Sequence, residues 1–182
     1  MNYDELSENK RIELSTAEGF LQFFNVQHDS SYEVVHVAGE GETPDIVAKD
    51  THGNVLNIEI TMTEDRSGDI MAALGRSNHR SIEALRADLE AVQDGKKPVQ
   101  FRSLQDNVVE LLKKRIGKKL IPCYGVNVAL VIRETTGVPW DWQMVLPQLR
   151  DYLDGQQVTF DRGIWLLSRA KDRLTHVYGN VE

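Results

Sequence analysis

Asp45 and Glu59, two acids fourteen residues apart, are the side chains of this chain best placed to do chemistry together. Asp45 follows Pro44 at the start of an apolar run, Ile46-Val47-Ala48-Lys49. Glu59 lies in a second run, Val55-Leu56-Asn57-Ile58-Glu59-Ile60-Thr61. Between them, Asp50–Asn54 is polar and contains Gly53, the composition of a tight turn. The stretch therefore predicts a β-hairpin over Thr43 to Thr61. Side chains alternate faces along a strand, so Ile58 and Ile60 point one way and Glu59 and Thr61 the other. A carboxylate set between large β-branched residues is costly to bury unless something pairs with it. Two acids brought together by a hairpin to hold a cation is the simplest chemistry of this pattern.

The elements that must position these acids come from hydrophobic periodicity. The chain has 182 residues, 41% hydrophobic and 27% charged, as expected for one folded domain with a sizeable core. Residues 1–11 read as a polar lead-in. Ile12 to Asn25 reads as a helix, with Ala17, Phe20, Leu21 and Phe24 on one stripe and Ser15 or Thr16 as N-cap. Glu18 is either a capping-box glutamate or a carboxylate aimed at the sheet. Tyr32 to Ala38 reads as a strand, and the hairpin follows. Residues 62–102 read as an elaboration on the core, with a helix from Ser77 or Asn78 to about Val92. Ser103 to Leu120 is a second main helix whose buried face is Leu104, Val108, Leu111, Leu112 and Ile116. Val126 to Arg133 is a central strand, Trp140 to Leu153 a helix interrupted by Pro147, and Phe160 to Arg169 and Leu174–Tyr178 the last strands. Helix-linked strands alongside a meander predict an α/β sheet covered by helices.

Charge is divided unevenly. The net charge is −7, with −11 in residues 1–70 and +4 in residues 71–182. A chain that coats polyanions without discrimination would be basic throughout. The strongest basic run is Lys113 to Lys119, five cations in seven residues at the end of a helix. It is either a solvated face complementing the helix dipole or a phosphate-contacting face. Trp140 and Trp142 could stack on bases or pack in the core. The five histidines show no metal-ligand spacing, and His36 reads as a half-buried strand residue. The single cysteine, Cys123, excludes an internal disulfide and a multi-cysteine metal site. Neither a phosphate-binding nor a dinucleotide-binding glycine loop occurs. With no signal-peptide pattern and no apolar run longer than Val128–Ile132, the expectation is a cytoplasmic protein with no membrane partner.

A helix bearing Glu18, Pro44-Asp45 opening a strand, Glu59 in Ile-Glu-Ile-Thr and the order αβββαβ together resemble the PD-(D/E)XK nuclease superfamily, over roughly Ser15 to Arg169. The resemblance implies a single restriction-endonuclease-like domain over 1–182, a mixed central sheet flanked by helices with a helical insert at about 62–102. It implies a metal-dependent nuclease acting on nucleic acid, DNA ahead of RNA. Asp45 and Glu59 would hold Mg or Mn, with the Ile60 carbonyl as a third ligand and Glu18 on a metal-bound water. The chain departs from the pattern at Thr61, where the family carries a lysine. Either a lysine from the next core helix fills that space, Lys114 first and Lys118 second, or cleavage is lost and the fold serves as a nucleic-acid-binding or scaffold protein. Lys113, Lys114, Arg115, Lys118 and Lys119, with Arg76 and Arg80 of the insert, would contact phosphates. A homodimer is compatible with such a fold.

Overall fold

In a computed structural model, residues 6–63, 104–121, 124–134, 141–168 and 173–179 are described. The predicted hairpin is present: β2 (Ile46–Lys49) runs antiparallel to β3 (Val55–Met62). Its turn is closed by Asp50, whose N–H donates to the Asn54 carbonyl at 3.1 Å and whose side chain accepts from the His52 and Asn54 N–H groups. Gly53 takes a φ of 85°, which an L side chain rarely adopts. The register pairs Ile46 with Ile58, which sets Asp45 opposite Glu59 one step further on.

Around this hairpin the strands follow in chain order. β1 (Glu33–Val37) lies antiparallel on β2, β4 (Val128–Glu134) and β5 (Ile164–Ser168) run parallel to β3, and β6 (Arg173–Tyr178) closes antiparallel on β5. The result is an α/β structure with a six-stranded mixed open sheet. β4 and β5 are almost wholly buried because both faces are covered, which accounts for their continuous apolar sequences. α1 (Glu8–His28) covers one face, packing Leu14, Ala17, Phe20, Leu21 and Phe24 on Ile58, Ile60, Val131 and Trp165. α2 (Leu104–Leu120) and α3 (Trp142–Asp154) cover the other, packing Val108, Leu112, Ile116, Val145 and Leu149 on Leu130, Ile132, Ile164 and Leu166. Glu59 and Thr61 pair with Leu130 and Ile132 across the ladder and so share the α2 face.

Two sequence expectations are corrected, and the two alternatives for Trp142 are decided. The first helix starts at Glu8, capped by Ser7, and not near Ile12; Ser15 and Thr16 lie inside it, and the Thr16 hydroxyl donates back to the Ile12 carbonyl at 2.6 Å. His36 is exposed rather than half-buried. Trp142 is buried at 2% exposure, its indole N–H donating to Glu134, so it packs in the core and is closed to bases. The insert at 62–102, apart from Met62 and Thr63, lies outside the described residues, as do Arg76, Arg80, Cys123 and Trp140. Among the described residues no helix is long and apolar enough to cross a membrane.

Candidate active site

The hairpin register and the α2 face converge on one polar cluster. Glu59 is fully buried, and Asp45, at 9% exposure, sits beside it at the strand entrance. The two are tied through the backbone. The Ile60 N–H donates to Asp45 Oδ2 at 2.9 Å, and the Asp45 N–H donates to Glu59 Oε2 at 3.3 Å. β2 pairing ends at Ile46, so these bonds replace the missing ladder at the end of the hairpin. A residue's N–H and C=O face the same neighbouring strand, so the Ile60 carbonyl also opens on the Asp45 side.

The cation comes from α2. Lys119 donates to Glu59 Oε1 and lies 3.8 Å from Asp45 Oδ2. Tyr124, buried just beyond α2, lies near Glu59; burial and the charges of Glu59 and Asp45 push its phenol well above the usual tyrosine range, so it stays protonated. Burial, opposed by the bond to Lys119, raises Glu59 above the ordinary glutamate value, and the charge of Asp45 pushes the same way. From α1, Glu13 faces the same region. Burial raises its carboxyl, with Asp45 adding to the rise, while Lys10, 2.8 Å away, lowers it. All of these side chains except Tyr124 line one open cavity of about 340 Å³, whose other wall is the loop carrying Glu40, Glu42 and Thr43.

The sequence-predicted residues divide sharply. Asp45 and Glu59 come together as expected. Glu18 is exposed, on the flank of α1 turned away from the sheet. Lys114 and Lys118 are exposed as well, so neither reaches the acids. In the basic run Arg115 donates to the Met62 carbonyl at 2.9 Å, and Lys113 pairs with Glu110 at 3.1 Å. Among the described residues no three His, Cys, Asp or Glu side chains are gathered closely enough to hold a metal ion. The expected trio of Asp45, Glu59 and Glu18 is thus reduced to a pair.

Helical phase explains both misplacements. At 3.6 residues per turn, Lys119 lies roughly 20° from Leu112 around the axis, in the middle of the face formed by Val108, Leu112 and Ile116, whereas Lys118 is about 120° away. The signal was in the sequence: Lys119 follows Ile116 by three and Leu112 by seven. Glu13 precedes Ala17 by four and Phe20 by seven, and it continues the buried stripe once the helix is allowed to begin at Glu8. Tyr124 carried no such signal, because it lies outside any periodic element.

Comparisons of the chain with protein-family models, with curated proteins and with solved structures return no match.

Proposed function

We propose that the chain is a metal-dependent nuclease of the PD-(D/E)XK kind, hydrolysing phosphodiester bonds in DNA ahead of RNA. The observation that carries this reading is the convergence of Asp45, Glu59 and Lys119 on one cavity. A hairpin that delivers two acids and a following helix that delivers a lysine is the arrangement the Glu-x-Thr departure calls for. The order α1-β1-β2-β3-α2-β4, with β3 and β4 parallel, supports the same reading.

The donors suit a hard divalent cation. Asp45, Glu59 and the Ile60 carbonyl offer oxygen alone, and among the described residues neither thiolate nor imidazole lines the cavity. Magnesium takes one or two carboxylates and keeps several waters. When bound, the metal supplies Lewis-acid polarisation of the phosphate and lowers the pKa of a water. The protein's part is to hold the carboxylates rigidly, which the Ile60 and Asp45 N–H groups do. Lys119 offers a positive charge to the phosphoryl oxygens. Glu13, across the cavity on α1, is placed to accept a hydrogen bond from an attacking water.

The rival reading is a non-catalytic nucleic-acid-binding or scaffold protein. It draws on Thr61 and on the cavity lining, which carries five carboxylates against two ammonium groups. Incubating plasmid and single-stranded DNA with Mg or Mn, beside Asp45→Ala and Glu59→Ala, separates the two. Cleavage lost in both variants is expected. Cleavage unchanged in both would remove these residues from the site. An inert protein that also gives no heat of metal binding would leave the scaffold reading standing.

A further inference from the structure

Among the described residues Glu59 has two donors, and they are not equivalent. The Asp45 N–H is fixed by the backbone. Lys119 alone among them carries a net charge, and its side chain is 30% exposed at the cavity edge, on a stem with four rotatable bonds. Its ammonium bonds Glu59 Oε1 and stands 3.8 Å from Asp45 Oδ2. That is the space between the two carboxylates where a cation held by both must lie. An ammonium and a divalent cation cannot share it, because the two repel and compete for the same oxygen lone pairs.

We propose that Lys119 is the resident counter-ion of the Asp45–Glu59 pair, and that it swings into the cavity when a divalent cation takes the carboxylates. This rests on the nuclease reading of the same site. Lys119 then has two successive positions. On the carboxylates it neutralises a buried pair of acids that would otherwise repel. In the cavity it faces the acids of the opposite wall, Glu13, Glu40 and Glu42, until a phosphate arrives. Cation binding is thereby coupled to release of the one cationic side chain that, among the described residues, touches the Asp45–Glu59 pair, so the site is armed for an anionic substrate only after the metal is in place. The Asp45 N–H keeps Glu59 oriented while Lys119 leaves.

The proposal predicts effects of opposite sign from one substitution. Mn²⁺ is titrated by calorimetry, without nucleic acid and at fixed pH and ionic strength, into the wild type, Lys119→Met, Lys119→Arg and Lys118→Met. Lys119→Met is expected to bind Mn²⁺ at least about tenfold more tightly, a free-energy change of about 1.4 kcal/mol, while losing cleavage. Lys119→Arg keeps the competing charge and is expected to stay within about threefold of wild type; Lys118→Met, on the exposed flank, is expected to match it. Thermal melts confirm that each variant is folded, and Lys119→Gln replaces the methionine variant if that one is not. Equal or weaker Mn²⁺ binding by the folded Lys119 variant overturns the counter-ion role. If wild type still binds and cleaves in that case, the nuclease reading stands without it. Absence of Mn²⁺ binding in every protein overturns both.

Discussion

Two buried glutamates lie on the same face of the sheet, Glu59 on β3 and Glu134 on β4, and they are held in opposite ways. Glu134 is 8% exposed, and each of its oxygens meets a neutral donor: the Trp142 indole N–H at 2.8 Å and the Ser168 hydroxyl. Its donors come from α3 and β5, so the bonds fasten that helix to the sheet. Glu59 is buried more deeply, beside a second acid, and its charge is met by a lysine on a long stem at the edge of a cavity. Neutral donors on rigid elements close a site. A lysine on a flexible stem, bonded to one acid and beside the other, leaves it open at the cavity edge.

Matched substitutions at the two glutamates test this contrast. The largest effect is expected from Glu59→Gln, which should lower cleavage of DNA by about 10³-fold or more, read as initial rates on plasmid. The same variant should melt no lower than wild type at pH 7. The reason is linkage: a carboxyl whose folded pKa is raised contributes stability that is present below its unfolded value and lost as pH rises through the folded one. Removing that charge removes the loss.

Glu134→Leu should do the reverse. Two buried donors lose their acceptor, so chemical denaturation should show a loss of about 2–4 kcal/mol, with cleavage per folded molecule unchanged. A drop in cleavage out of proportion to the unfolded fraction would make Glu134 part of the chemistry and dissolve the contrast.

A smaller effect concerns pH. Glu13 is also raised by burial, so Glu13→Gln should melt above wild type at pH 7, with the gap closing as pH falls toward 4.5. His28 and His176, each in edge contact with the Trp165 ring, shift the other way. Burial lowers both, helped by the charge of Arg162 on His28 and of Arg150 on His176. Their folded forms stay neutral, so stability is full above the ordinary histidine value of 6.5 and falls as pH drops below it. Melting curves from pH 8 to pH 5 should show this loss in the wild type and a flatter profile in His28→Phe.

The smallest expected change is Tyr124→Phe. It keeps the ring stacked on Phe160 and removes only the neutral phenol near Glu59. Mn²⁺ affinity should stay within about threefold of wild type, read by the same calorimetry.

Local pattern was enough for the hairpin. Alternating β-branched residues, a Gly53 turn and two acids at matched distances fixed which strand faces are apolar and set Asp45 opposite Glu59. The apolar runs at Val128 and Ile164 were likewise legible as covered central strands, because burial on both faces leaves no room for polar alternation. The choice of Lys119 was legible only in part. Its phase on the helix was readable, but Lys114 and Lys118 looked equally basic until α2 was seated on the sheet. Glu18 failed because the start of α1 was misjudged: Ser15 and Glu18 imitate a capping box in the middle of a helix that Ser7 already caps.

The sequence by itself determined that two acids would stand side by side at the mouth of a hairpin, since strand periodicity and turn chemistry are local. Only the tertiary structure decided what answers them. Lys119 lies sixty residues from Glu59 along the chain, and Glu13 and Tyr124 come from opposite sides of the sheet. Their meeting depends on how two helices are phased and docked by burial of Phe20, Leu112 and Ile116, which no short-range pattern encodes.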